Sequence, residues 1–236
     1  MAAVQEKQIV SAFDLFGKSF EAVKRNINTF SVLWLLPLMS MLGSTLWERS
    51  HRNEQDQWAS LGGLFNFAGL PSSAVVSMVS FGIILFIIMF VLTLFIQAMT
   101  YALQLEAANG KTPGFDFLWQ QAKKYWFRLF GLSLVVGVLM ILGFLLLIVP
   151  GLIVLRRYFL APYILIDKDL SISQAMEESA KLTKPNSRAI WGVIGVSILL
   201  ALPSIIPVVG PIIAFLLGAA YSVAPALRYE ELKKLV

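Results

Sequence analysis

The feature that most restricts the fold is an apolar stretch from Ser72 to Leu105 that contains no charged residue. As a helix it would be roughly 50 Å long at about 1.5 Å per residue, which exceeds the roughly 30 Å hydrocarbon core of a bilayer. Similar stretches recur along the chain. Hydrophobic residues make up 58% of the 236 residues and charged residues only 14%, so a water-soluble surface would lack polar groups. We therefore expect the chain to be embedded in lipid.

We predict an all-α, polytopic membrane protein with about six transmembrane helices, which form a single integral membrane domain over residues 1–236. Helices are expected because unpaired backbone groups are costly in lipid, and no strand-length alternation indicates a barrel. Asn109-Gly110 is expected to stop the second span, and Pro150-Gly151 to form a tight turn between the third and fourth. The predicted spans are about 29–46, 72–105, 129–149, 152–166, 189–206 and 209–227.

The distribution of cations indicates the orientation. Basic residues precede the first span, separate the second from the third and the fourth from the fifth, and follow the sixth, whereas the first loop carries only Arg49 and Arg52. By the positive-inside rule we predict that both termini are cytoplasmic. The net charge of +5 then indicates topology and attraction to anionic lipid headgroups. We see no module for nucleic acid and expect no nucleic-acid partner.

Each predicted cytoplasmic segment before an odd-numbered span has the pattern of an amphipathic interfacial helix. These segments are 11–30, 113–128 and 170–187. Ser19 corresponds to Ser179 in this pattern, and Asn26 to Asn186. One interpretation is an internal repeat, in which an amphipathic helix and a hairpin occur three times. The other is that basic, aromatic segments beside a span become interfacial without common ancestry.

A motif of about 35 residues begins at Pro150-Gly151 and resembles a motif of a known bacterial family. It contains a basic pair and an Ala-Pro pair, followed by a helix with regularly spaced small and hydroxyl residues, and it is similar to YciC-like inner-membrane proteins and to the membrane domain fused to some glycerophosphodiester phosphodiesterases. The resemblance implies a six-span fold in the bacterial inner (plasma) membrane and no catalytic residues. The residues that carry it are Pro150, Gly151, Arg156, Arg157, Ala161, Pro162, Ser171, Ala175, Ser179, Leu182 and Thr183.

The residues give little support to an enzyme. A phosphodiester hydrolase would need a metal or an acid-base set, which usually involves several His and carboxylate side chains. This chain has no cysteine and one histidine, His51, which lies in the charged first loop. No Gly-rich phosphate loop or known hydrolase motif is present. We therefore predict no catalytic residue, no metal and no cofactor.

Arg156 and Arg157, in the fourth predicted span, are the strongest candidates for a polar site. An arginine near the membrane centre costs at least about 2.5 kcal/mol, so each needs a partner, a headgroup or a water-filled cavity. Two interpretations stay open. The side chains snorkel to the interface or pair structurally, with Asp167 among the nearby acids, or they form an anion or lipid-headgroup site.

A second group of polar residues falls on one helical face of the second span. Its members are Thr93, Gln97, Thr100 and Gln104. Hydrogen bonding between helices, or emergence of this face from the membrane, explains them better than a substrate path does.

The leading functional hypothesis is a non-enzymatic integral membrane protein that serves as a structural or accessory component of envelope or transport processes. Its expected partners are membrane lipids with anionic headgroups, and a membrane protein partner or a second copy of the chain. The alternative is a small transporter or channel for an anionic or amphiphilic substrate, in which Arg156 and Arg157 attract the charged group.

The predicted orientation is testable by labelling the first loop. A membrane-impermeant reagent should reach this loop only from outside the cell, because the positive-inside rule places it opposite the basic segments. Labelling from the cytoplasmic side would contradict the orientation.

Overall fold

The computed structural model describes residues 9–51, 72–207 and 209–235 and contains helices but no strand among them. A short 3-10 helix covers Leu202–Ile205. The α-helices are α1 (Asp14–Arg25), α2 (Ile27–His51), α3 (Ser72–Ala108), α4 (Phe115–Leu146), α5 (Ile148–Tyr158), α6 (Ala161–Asp167), α7 (Ile172–Thr183), α8 (Ser187–Ala201), α9 (Val209–Tyr221) and α10 (Ala224–Lys233).

Among the described residues, five helical segments are long and apolar enough to cross a membrane. They confirm a multi-pass membrane protein and correspond to the second to sixth predicted spans. The first predicted span, 29–46, falls within α2, which is helical throughout. The side chains of residues 44–51 lie outside the described part of the chain, as does most of the first loop. The five segments are Val76–Ala108, Phe115–Leu146, Ile148–Asp167, Ser187–Ile205 and Val209–Lys233.

The predicted helix stop at Asn109-Gly110 is confirmed. α3 ends at Ala108, and Gly110 has a φ of 81°, a left-handed conformation that glycine adopts without steric cost. The Lys111 N–H donates to the Glu106 carbonyl at 3.0 Å, which satisfies one of the free carbonyls at the helix end. The chain then reverses into α4.

Two of the three predicted amphipathic segments have different boundaries in the structure. Segment 113–128 is not a separate helix, because α4 continues from it into the third span with no proline to break it. Segment 11–30 divides at Asn26, which separates α1 from α2. Segment 170–187 corresponds to α7 and has a capping box at Ser171.

The predicted turn at Pro150-Gly151 is wrong. The chain reverses at Leu147 alone, which is extended, and both residues lie in the first turn of α5. Proline is tolerated there because first-turn N–H groups have no helical acceptor. Gly151 instead allows close packing of α4 and α5, since a Cβ added at Gly143 would lie 2.9 Å from the Gly151 Cα.

The fourth and sixth predicted spans are each broken into two helices. In both, an Ala-Pro pair starts the second helix, Ala161-Pro162 in α6 and Ala224-Pro225 in α10. A proline has no N–H to donate to the carbonyl four residues earlier, and its ring clashes with that carbonyl. In each case the residue four before the proline is the last residue of the preceding helix.

A serine from another helix binds the freed backbone at both breaks. The Ser179 hydroxyl of α7 donates to the Arg157 carbonyl at 2.8 Å. The Ser19 hydroxyl of α1 donates to the Ala220 carbonyl at 2.7 Å and accepts from the Val223 N–H at 3.1 Å. Arg157 and Ala220 each lie five residues before the proline. These matched contacts are what a repeat would produce, and the threefold version stays a prediction.

The packed core lies at one end of the helices. There α1, the end of α3, the start of α4, α6, α7 and α10 bury side chains such as Leu103, Leu118 and Leu165. We call this the basic end, because it also carries Lys111, Lys124 and most other cations of the described chain. The opposite end, with Leu147 and Pro207 at the chain reversals, is the hairpin end. Its large apolar side chains are mostly exposed, as expected of a lipid-facing surface.

The serine contacts generate a stability prediction. Ser19→Ala would leave a carbonyl and an N–H without their partner, so the free energy of unfolding should fall by about 1–3 kcal/mol. Ser179→Ala should cost about 1 kcal/mol, because the Thr183 hydroxyl lies 3.2 Å from the same carbonyl. Thermal unfolding in detergent, followed by circular dichroism, measures both.

Ser31→Ala is the matched control. Ser31 is exposed, and among the described residues its hydroxyl bonds only to the Asn28 carbonyl of its own helix, so the change should stay within about 0.5 kcal/mol. Equal effects for Ser31 and Ser19 would contradict a special role of the contact between helices.

Candidate anion site

A cleft of about 410 Å³ lies between α5 and α7. Its size is within the range of small-ligand sites. Four of the side chains that line it are cationic and only one is acidic. The residues that line the cleft are Ile153, Arg156, Arg157, Glu177, Ala180, Lys181 and Lys184.

Helical spacing and the break after α5 together build this cleft. Ile153, Arg156 and Arg157 share one face of α5 because residues three and four apart are neighbours on a helix. Glu177 and Lys181 share a face of α7 for the same reason, and Lys184 follows directly after it. The Ser179 contact with the Arg157 carbonyl fixes α7 against this part of α5. Ser179 is thus a positioning residue for the cleft.

Within the cleft, one cation is paired. Lys181 Nζ lies 2.7 Å from Glu177 Oε1. The hydrogen bond from Lys181 lowers the pKa of Glu177, and the same bond raises the pKa of Lys181. Both groups are exposed, so the pair contributes little to stability. It remains charged over the whole physiological range.

The other three cations make no ion pair with any described residue. The Arg157 guanidinium lies 5.8 Å from the centre of the Tyr158 ring, and Lys184 is exposed. Arg156 Nε is buried without a hydrogen-bond partner in the described structure. A buried guanidinium donor without an acceptor is costly.

Asp167, grouped with the two arginines in the sequence prediction, lies elsewhere. Its carboxylate accepts from the Tyr229 hydroxyl and from Lys233 Nζ, both at 2.6 Å, and so joins α6 to α10. Asp169 pairs with Lys124 and Arg128, and their hydrogen bonds and charges hold its pKa below the usual value. All three acids that sequence proximity offered to the arginines therefore have other partners, and Glu177, which pairs with Lys181, is the one that also lines the cleft.

The polar face of α3 does not converge on a site. Thr93 and Thr100 donate to carbonyls of their own helix, Met89 and Ile96. Gln97 is exposed. Gln104 is buried and accepts from the Tyr163 hydroxyl of α6 at 2.8 Å. Of these four residues, Gln104 is the one that the described structure shows in a hydrogen bond between helices.

Sequence reasoning missed the α7 half of the cleft. Glu177, Lys181 and Lys184 recur at spacings of four and three, which indicates a charged helix face. Their position beside the arginines depends on how α7 folds back on α5, and no spacing reports that. The side chain of His51 lies outside the described residues.

No protein-family model matches the chain, and no curated protein or solved structure matches it. The resemblance to YciC-like proteins stays a prediction.

The cleft should bind a phosphodiester anion equally well between about pH 5 and pH 8. Arginine stays protonated throughout, the pKa of Lys181 is raised and that of Glu177 is lowered, so the charge of the cleft is constant. A phosphomonoester, which loses its second proton near pH 6, should bind more tightly at pH 8. Titration of both ligands by native mass spectrometry checks this. Loss of diester binding within the range would contradict it.

Proposed function

We propose that this chain is a non-enzymatic integral membrane protein that binds anionic lipid headgroups in the cleft between α5 and α7, as a structural or accessory component of the bacterial inner membrane. The observation that carries the proposal is the set of three unpaired cations, Arg156, Arg157 and Lys184, around one opening. These three positive charges repel one another unless an anion lies between them.

The chemistry of the cleft suits a phosphate group. Arginine presents a planar fork of donors that matches two phosphate oxygens, and such charge-assisted bonds are roughly twice as strong as neutral ones. Arg156 and Arg157 supply two forks, and Lys184 adds a point charge. Ile153, at 46% exposure, continues the wall of the cleft toward the apolar hairpin end, where an acyl chain would lie.

Exposed aromatic side chains support a membrane surface at the basic end. Phe20 of α1 and Trp119 at the start of α4 are 50% and 42% exposed, in the kind of position that aromatic residues take at the interface. We propose that this end is cytoplasmic, that both termini lie there, and that the helices pair as three hairpins. The cation distribution and the matched breaks after α5 and α9 support this arrangement.

The alternative of a small transporter uses the same arginines. It requires in addition that the ligand move past them, which binding alone does not require.

Arg156→Ala/Arg157→Ala should weaken retention of phosphatidylglycerol by roughly tenfold or more, since each lost charge-assisted bond is worth about 1.5–3 kcal/mol and about 1.4 kcal/mol is tenfold in affinity. Native mass spectrometry of the detergent-solubilised protein, titrated with this lipid and with phosphatidylcholine, measures the effect.

The matched control is Lys18→Ala/Lys24→Ala. It also removes two positive charges near the basic end, but both lysines lie on α1 and away from the cleft. If this control loses as much phosphatidylglycerol as the arginine variant, binding reflects general charge and the proposed site is wrong.

A further inference from the structure

The two helices of the α4–α5 hairpin differ in the length of their uncharged segments. On α4, no charge occurs between Arg128 and the end of the helix at Leu146, a length of about 27 Å. On α5, only Ile148 to Leu155 precede Arg156, a length of about 12 Å. The first length is close to the roughly 30 Å thickness of a hydrocarbon core, and the second is less than half of it.

Both lengths start from the same level. Leu147 alone connects the two helices, and Gly143 packs directly against Gly151, which fixes the antiparallel register. Measured along the two helix axes from this contact, Arg156 is about 15 Å nearer the hairpin end than Arg128 is. The arginines are therefore deep within the layer that the α4 surface defines as apolar.

The polar surface at this depth is not limited to the arginines. The most exposed side chains of α7 are all polar: Ser173, Gln174, Glu177 and Lys181. The outward face of α7 is therefore polar, while Ile172, Met176 and Leu182 are partly buried against the core. On α4, by contrast, Leu134 and Ile141 are exposed. The uncharged belt available to lipid is therefore about 27 Å high on the α4 side of the hairpin and about 12 Å high on the α5 side.

A bilayer adapts to such a mismatch by thinning, or by admitting water and headgroups to the buried charges. Either response brings the headgroups of the basic side close to Arg156 and Arg157. A headgroup at the arginines is separated from the hairpin end by about 12 Å of apolar α5 surface. The barrier for a headgroup to cross the membrane is lower where the hydrocarbon path is shorter.

The second broken span, α9–α10, shows that this type of break does not require the charges of Arg156 and Arg157. By the serine contacts, Ala219 and Ala220 of α9 occupy the positions of Arg156 and Arg157. From Val209 to Leu227, α9 and α10 carry no charge, a length of about 28 Å. The same backbone arrangement thus accepts alanine at both positions, and the arginines serve something other than the break.

We propose that the α5–α7 cleft is a path for phospholipid headgroups, so that the protein speeds the passive movement of phosphate-bearing lipids between the two leaflets. This rests on the proposed function, because the arginines must first bind the headgroup. Arg156 and Arg157 hold the phosphate part-way across, the polar face of α7 keeps that part of the path hydrated, and the acyl chains stay in lipid beside Ile153 and Val149.

The test uses the full chain in vesicles of phosphatidylethanolamine with a minority of phosphatidylglycerol and a trace of NBD-labelled phosphatidylglycerol. Dithionite bleaches only the outer leaflet, about half of the label, in protein-free vesicles. With the wild-type chain, bleaching should proceed to near completion. Arg156→Ala/Arg157→Ala should slow the second phase by roughly tenfold, equivalent to about 1.4 kcal/mol. Arg156→Lys/Arg157→Lys keeps the charges but loses the forks, so its rate should lie between those of the wild-type chain and the double alanine variant. Lys18→Ala/Lys24→Ala should keep the full rate.

The outcomes separate this inference from the proposed function. If the wild-type chain retains phosphatidylglycerol in native mass spectrometry but bleaching stops at half, the lipid-movement inference is overturned and headgroup binding stands. If neither occurs, both are overturned. An unchanged rate in the double alanine variant also overturns the inference. Should that variant lose its monodisperse elution, Arg157→Ala alone decides, because this exposed side chain contributes nothing to the core.

Discussion

Pro162 and Pro225 have no N–H to donate, and much of the packing at the basic end follows from the two helix breaks that they cause. Each proline ends a helix within a span and frees backbone groups that lie among buried side chains. In such surroundings a free carbonyl costs about 1–3 kcal/mol. Ser179 and Ser19 supply the donors, and in doing so they fix α7 against α5 and α1 against α9. The cleft exists because α7 is held there.

The two breaks are alike in backbone, but only the break after α5 carries charged residues in the span itself. At one, α5 presents Arg156 and Arg157 and α7 presents Lys181. At the other, α9 presents Ala219 and Ala220, and α1 presents Glu21 at the place of Lys181. An arginine near the membrane interior costs several kcal/mol or demands a partner. Since the break after α9 forms with alanine at both positions, the break itself does not need the arginines, and the proposed binding of an anionic headgroup gives them a purpose.

Sequence patterns predicted this fold well where the physics is local. Apolar length set the positions of the second to sixth spans, and Asn109-Gly110 marked the end of α3 because glycine alone adopts its backbone angles freely. Pro150-Gly151 misled, since a proline is tolerated in a first helical turn and the reversal needed only Leu147. The continuity of α4 was missed because amphipathicity changes along it while the backbone does not.

For the candidate site too, the sequence predicted the features that depend on local chemistry, and the tertiary structure set the contacts between helices. The sequence by itself determined that the protein is helical and embedded in lipid, and that Arg156 and Arg157 are anomalous within a span, because hydrocarbon penalises charge wherever it occurs. Tertiary structure alone decided that Asp167 pairs with Lys233 and Tyr229, that Lys181 and Lys184 line the same cleft as the arginines, and that the outward face of α7 is polar. Those pairings depend on which helices meet, and a hydrogen bond between residues far apart in the chain leaves no periodicity in the sequence.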